Sequence, residues 1–475
     1  MFINRQQTTF ALITVIFFIG SLRTFAQESI NLPQAINYAL TQNKELRRSA
    51  LAIDSGSLGV TGAKAEFQVS VRPEGSVGFS DGQKSWNYGL RTSKKFDWGT
   101  EIIARGMRST SKFEGGDNLY RDSIQLEIQQ PIFRNFGTLI HRETIIQANN
   151  TLRSASRKLE IQKADLIIEV VRTYENILRL KNQVRSDQES YKRMDGLYRV
   201  TKAKEVLGRT TRIDTLRVEL LRGQALSRLE VSQERLTSTQ RDFAELLGFS
   251  PDTVFDLSPS PKLEFKMPEP EEAIEIALKN RLDYAQVLQD YEDTTRAVRI
   301  AKRKLFPDVR LVARQEWFGQ GPGISESRGI NENIWFVGLS VDTDFNLTRE
   351  RVALGQTLIS QTSSSETINI VKLSITRQVP QQLQAYRRAR EELKIAEKNF
   401  KLAEGRSKLA RRLFELGRGD NFSVTDAEEA YLQAENQLLS ARAEETISGY
   451  RLFQTMGTVI ETPEELKPKS FLRDK

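Results

Sequence analysis

The sequence predicts a mainly α fold with a β part: a rod of long coiled-coil helices capped at one end by strands. Three observations carry this. The chain of 475 residues repeats its own order of parts once. Each repeat holds a very long stretch in which apolar residues step by 3 and 4, the spacing of a helical seam. Each repeat also holds a segment of different composition in which apolar and polar residues alternate, the spacing of a strand.

The repeat is read from matched motifs. Ala35-Ile36-Asn37-Tyr38-Ala39-Leu40 recurs as Ala273-Ile274-Glu275-Ile276-Ala277-Leu278. Val206-Leu207-Gly208-Arg209 recurs as Glu415-Leu416-Gly417-Arg418, and Leu247-Gly248 as Met456-Gly457, both at an offset of 209. A unit of that size is far longer than a solenoid repeat and indicates two homologous halves within one fold.

The elements follow in order. Residues 1–26 read as a signal peptide: Arg5, an apolar run from Phe10 to Ile19, then Thr24-Phe25-Ala26 as the cleavage site. The run is short for a permanent span, an uncleaved anchor being the other reading, and no later segment is a candidate transmembrane helix. The protein is therefore expected to be exported, and strands are expected to make any membrane crossing. Residues 27–66 form the leading helix of the first half and 67–137 its strand region; 138–248 hold its long helix, tip turn and return helix. A Pro-rich linker over 249–268 joins the halves. The second half repeats the order as a leading helix over 269–307, strands over 308–346, and long helix, tip turn and return helix over 347–457, with a tail over 458–475.

The two strand regions hold all four tryptophans, Trp86, Trp98, Trp317 and Trp335, and 14 of the 28 glycines. In them Ile124, Leu126 and Ile128 interleave with Gln125, Glu127 and Gln129. Apolar-out, polar-in strands with aromatic girdles mark an outer-membrane barrel, although an ordinary antiparallel sheet gives the same alternation. In the long helices Leu393, Ala396, Phe400, Ala403, Ser407, Ala410 and Phe414 form one seam. Leu402, Leu409, Leu413 and Leu416 lie on a neighbouring face, so the helix is expected to pack between two partners. Residues 142–205 and 349–416 span about 95 and about 100 Å, and each return helix about 50 Å, so two short helices end to end match one long one. Pro380 is expected to kink the second long helix.

Composition excludes most chemistry. There is no cysteine, one histidine (His141) and five methionines, which leaves no thiolate metal site, no Ser-His-Asp triad and no soft-metal relay. No cofactor or metal is expected, and the chain is read as no enzyme. The formal charge of +8 comes with Lys and Arg interleaved with acids, as in Arg387-Arg388-Ala389-Arg390-Glu391-Glu392, so a nucleic-acid partner is not expected. Gly319-x-Gly321-x-Gly323 opens no helix after a strand and reads as a loop.

With its Ala-Ile-x-x-Ala-Leu openings, duplicated halves, Gln130-Pro131-Ile132-Phe133-Arg134 after the first strand region and two Leu-Gly-Arg turns, the mature chain resembles the TolC-type outer-membrane efflux proteins. The resemblance implies a long coiled-coil α-barrel continuing into a transmembrane β-barrel completed by trimerisation, with four strands from each chain making twelve. Four strands cannot close alone. It implies the passive exit duct of a tripartite efflux or type I secretion system, seated in the outer-membrane lipid with a long periplasmic portion. A periplasmic adaptor and an inner-membrane pump would be its partners. The rival reading is a periplasmic coiled-coil adaptor or structural rod without a channel. Two departures stand out: Trp86–Thr110 is an additional hairpin around Asp97-Trp98-Gly99, in the barrel or outside it, and the second half has Asp342-Thr343-Asp344-Phe345 where the first has Pro131.

The resemblance also places site residues. Asp214, Ser423 and Asp426 follow the tip glycines at the distances of the family's pore-narrowing positions, and Arg418 stands one position before the family's gate arginine, where Gly419 now lies. These carboxylates are expected to ring the pore, and Arg418 or Arg209 on neighbouring helices could tie them; which partner each takes is left open by the sequence. Capping of the return helices by Thr211-x-x-Asp214 and Ser423-x-x-Asp426 is the other reading. Leu207, Gly208, Arg209, Leu416, Gly417 and Gly419 are expected to form the adaptor-docking tip, and the four tryptophans the membrane-interface aromatics.

Overall fold

The computed structural model describes residues 29–80, 83–113, 117–261, 263, 265–416 and 418–468. The signal peptide expected over 1–26, Gly417 of the tip, and 469–475 of the tail lie outside the described residues. The first half runs β1 (Ser29–Ile30), α1 (Leu32–Gln42), α2 (Lys44–Ala65), β2 (Ser70–Ser80), β3 (Gln83–Lys95), β4 (Glu101–Phe113), β5 (Asn118–Pro131), α3 (Thr138–His141), α4 (Glu143–Val206) and α5 (Arg212–Leu246). A short strand β6 (Asp256–Leu257) in the linker leads to α6 (Pro270–Asn280), α7 (Leu282–Arg303), β7 (Val309–Gly321), α8 (Ile324–Ser327), β8 (Glu332–Val341), α9 (Thr348–Glu415) and α10 (Asn421–Thr455).

The long helices α4 and α9 have 64 and 68 residues, and Pro380 lies inside α9 without ending it. On each long helix the leading helices pack along one part and the return helix along the other. Laterally, α5 and α2 flank α4, which contacts α10 and α7, which in turn flank α9. The helices thus form a single layer of four columns.

Each leading helix, read from sequence as one element, is two. The breaks fall at matched positions, Asn43 (φ −60°, ψ 127°) and Arg281 (φ −69°, ψ 122°), both extended. Asn43 Oδ1 accepts from the backbone N–H of Glu45 and Leu46, while its Nδ2 donates to Leu246 O at 3.0 Å. That capping starts a second helix and ties the break to the end of α5. Arg281 instead pairs with Asp283 at 2.6 Å. Against each break lies the glycine that closes a return helix, Gly248 (φ +88°) and Gly457 (φ +72°), where only a residue without Cβ fits. A Cβ on Gly248 would stand 2.5 Å from Gln42 O, and one on Gly457 3.0 Å from Asn280 C. The duplication is therefore preserved in backbone detail, not only in motif.

Two cores sit at these joints. Leu32, Val170, Val171, Tyr174, Phe243 and Leu247 centre the first, and Ile375, Val379, Leu383, Tyr386 and Leu452 the second. The Tyr174 hydroxyl lies between Ile30 O (2.9 Å) and Ser258 O (2.6 Å), fastening the parallel pair β1–β6 to the long helix.

All remaining strands form one antiparallel sheet in the order β2-β3-β4-β5-β7-β8. This corrects the count of four implied by the resemblance: the first half supplies four strands and the second two. The additional hairpin is β3–β4, inserted between β2 and β5.

Candidate pore wall and helical tip

The sheet has two chemically distinct faces because alternate side chains point to opposite sides. On one face cross-strand neighbours are apolar and exposed: Val77 opposite Trp86, Ile124 opposite Trp317, Leu311 opposite Leu339. The other face carries ion pairs between strands: Arg105–Glu74 (3.2 Å), Arg314–Glu127 (2.7 Å) and Arg121–Glu316 (3.0 Å). Trp86, Trp317 and Trp335 lie on the apolar face toward the loop end of their strands. Trp98 lies in the turn at the opposite, helix-bearing end, stacked on Phe96 at 4.9 Å. Sequence reasoning missed one feature here. Arg108 makes a bidentate pair with Asp122 (2.6 Å for each bond) in the apolar row, and Ser327 of α8 donates to the same carboxylate at 3.0 Å. Mutual pairing offsets the cost of placing two charges among apolar neighbours.

At the far end of the rod the chain reverses between α4 and α5. Arg209 N–H donates to Lys204 O (2.8 Å) and Gly208 N–H to Glu205 O (2.9 Å), a closing motif that satisfies the last carbonyls of α4. In the second half Arg418 N–H makes the matching bond to Leu413 O (2.9 Å). Val206, Leu207, Ile213, Leu416 and Phe422 are exposed around these turns.

The four predicted gate residues divide. Asp214 is fully engaged in capping α5: its Oδ2 accepts from the Thr211 hydroxyl (2.6 Å), the Thr211 N–H (3.3 Å) and the Thr210 hydroxyl (3.1 Å). The Thr211 bonds hold its carboxyl below the usual carboxylate range. The second half differs from the expected Ser423-x-x-Asp426 cap. Asp420 caps α10 by accepting from Ser423 N–H (2.8 Å), so Ser423 is a capped residue and not the cap. The cap therefore lies three residues earlier than the sequence reading placed it, at Asp420, whose carboxylate accepts with a full charge. Asp426 pairs with Arg406 on α9. Neither Arg418 nor Arg209 makes an ion pair among the described residues; within the chain Asp214 is held by Thr211 and Asp426 by Arg406.

About 10–20 Å up from the tip, by the helical rise, lies a cluster that the seam pattern concealed. Arg193 of α4 binds Glu428 of α10, and Ser407 of α9 donates to the other oxygen of Glu428 at 3.2 Å. Glu428 is 4% exposed and sits beside buried Ala427 and Val424. One buried carboxylate thereby joins three of the four columns. Its only sequence signal is an acid adjacent to a seam position.

Among the described residues no helix is long and apolar enough to cross a membrane, and no group of His, Cys, Asp and Glu could hold a metal ion. Residues 273–458 match the sequence profile of the family described as outer membrane efflux protein. No functionally curated protein matches the chain by sequence. Among solved structures, the outer-membrane channel OprN shares 16% identity over 90% of each chain with a TM-score of 0.71. The outer membrane protein VceC of Vibrio cholerae shares 14% identity over 90% of this chain and 96% of its own, at 0.69. The Campylobacter jejuni CmeC outer membrane channel shares 12% over 90% and 86%, also at 0.69.

Proposed function

We propose that this chain is an outer membrane efflux protein, as the match over residues 273–458 supports, and that three copies form a passive exit duct through the outer membrane with a long periplasmic tunnel. The observation that carries this reading is the alignment of unpartnered edges. On one side of the layer β2, α2 and α5 stand at the edge; on the other, β8 and α9. Apolar residues are exposed along both, among them Leu58, Leu216 and Leu220 on the first and Ile359, Leu402 and Leu409 on the second. Two different edges that complement each other make a head-to-tail contact, which closes into a ring. In such a ring the apolar sheet face meets lipid and the charged face lines water.

The tip is the docking end for a periplasmic adaptor. Leu207, Leu416, Arg209 and Arg418 stand exposed or solvent-facing around Gly208 and Gly419, with Gly417 in the same turn by sequence. An inner-membrane pump bound through that adaptor supplies the energy, in a tripartite efflux or type I secretion arrangement. Asp214 and Asp426 remain candidates for the pore constriction, where a ring of carboxylates favours cations. The four tryptophans anchor the barrel at the two membrane interfaces. Cell fractionation followed by native mass measurement in detergent tests the reading. An outer-membrane trimer is expected; a soluble monomer in the periplasmic fraction would overturn it.

A further inference from the structure

We propose that the β3–β4 hairpin is part of the barrel wall, so that three copies build an eighteen-stranded barrel as wide as the helical tunnel beneath it. The inference rests on the ring assembly proposed above and concerns its bore. The hairpin is paired along its full length on both sides, from Ser70↔Ser93 to Ser80↔Gln83 with β2 and from Gln83↔Phe113 to Lys95↔Glu101 within itself. Its partner across β4 is β5, from Glu101↔Gln129 to Lys112↔Asn118. Both faces continue the wall. Tyr88 and Leu90 extend the apolar face, while Arg91 on the charged face reaches Glu74 of β2 (3.8 Å) and Glu101 of β4 (4.0 Å).

The turn of the hairpin fixes its direction. An extracellular hairpin would carry its turn beyond the loop end of the sheet. Here the turn, Phe96 to Thr100, lies at the helix end. Lys95 pairs with Glu66 (2.5 Å), Lys94 donates to Phe67 O (2.5 Å) and Gly137 N–H donates to Trp98 O (3.0 Å). Gly99, at φ +103°, lies so close to α3 that a Cβ would stand 2.3 Å from His141 Nε2. The turn is therefore built into the junction between sheet and helices.

Widths follow from standard spacings. Strands about 4.8 Å apart and tilted about 40° occupy about 6 Å of circumference each, so six take about 38 Å and four only about 25 Å. Four helical columns about 9–10 Å apart take about 36–40 Å. Six strands per copy thus match four columns, and the wall passes from helix to strand without narrowing. For three copies the backbone-to-backbone diameter is about 36 Å, against about 24 Å for twelve strands. A duct of this kind admits solutes that a twelve-stranded mouth would exclude.

The test uses the absence of cysteine from the chain. A nitroxide on Ser123→Cys in β5 gives one inter-copy distance in a three-fold ring. About 31 Å is expected for eighteen strands and about 21 Å for twelve, read by pulsed electron spin resonance in the purified full chain. Deleting residues 81–113 should contract the distance by about one third. Independently, Tyr88→Cys should react with a bilayer-soluble maleimide and not with an impermeant one, whereas Asn87→Cys should react with the impermeant reagent. A trimer whose full-chain distance is near 21 Å, or whose Tyr88→Cys reacts with the impermeant reagent, overturns the eighteen-strand wall. Absence of a trimer instead overturns the assembly on which it rests.

Discussion

Among single residues, two buried carboxylates set the strongest expectations. Glu175 on α4 is 6% exposed, and burial pushes its carboxyl up to about 6 from an ordinary 4.5, with Ser260 opposing and Glu445 adding to the shift. Because the folded value is the higher one, the stability this group supplies is full below about pH 4.5. It is lost as pH rises through about 6, a difference of about 2 kcal/mol. Glu175→Gln should therefore raise the melting temperature at pH 8, leave it nearly unchanged at pH 4.5, and flatten the slope between; thermal unfolding in detergent across that range checks it. Glu428 presents the opposite case, a buried acid with its partner in place. Glu428→Ala removes the buried bridge between three columns and leaves Arg193 only the longer pair with Glu189 (3.7 Å), and should destabilise the tip-proximal region by about 1–3 kcal/mol. Hydrogen exchange over 186–201 and 424–435 should accelerate, and Arg193→Leu combined with Glu428→Leu should recover much of the protection. An unchanged exchange pattern in Glu428→Ala would show that the cluster does not hold the columns together.

For the elements, legibility in the sequence tracked how local the cause was. The long helices were legible because seam spacing repeats over dozens of residues, and residues such as Ala396 and Ser407 are buried where that spacing placed them. The breaks at Asn43 and Arg281 were not, since each depends on a return-helix glycine some two hundred residues away or on a local Arg–Asp pair. Strand alternation was legible, yet whether Trp86–Thr110 entered the sheet was open, because pairing partners and turn direction are tertiary facts. The tip turn was legible from Gly208, while the displaced cap at Asp420 and the Arg406–Asp426 pair required knowing which neighbours face each other. That exposed pair is worth only about 0–1 kcal/mol, so it holds no gate by itself. The junction turn gives a sharper expectation. Gly99→Ala meets both a left-handed backbone and the His141 ring, and should cost at least about 2 kcal/mol. Reduced yield of heat-resistant, folded barrel on semi-native gels would register the loss; an unaltered melting profile would show that the junction tolerates a Cβ.

Taken whole, the molecule is a layer with two dissimilar edges. Leu402 and Leu409 are exposed on α9 at one edge, one heptad apart. Replacing both with Glu should prevent assembly while leaving each chain's helix content intact, because the two cores lie at the joints within the layer. Sedimentation in detergent with circular dichroism separates these outcomes, and persistence of the assembled species would place the contact elsewhere. The six-stranded sheet has one more implication, which concerns parity. The hairpin leaves the loop end on one strand and returns to the loop end on the next, so every later segment keeps its original sense. One added strand would invert β5 and send the long helix out of the wrong side of the membrane. In the three-copy ring proposed above, change in bore is consequently restricted to steps of two strands in each copy, six in all. Such a pore cannot be widened gradually by lineage drift; its calibre comes in discrete sizes, each reached by a single insertion or loss.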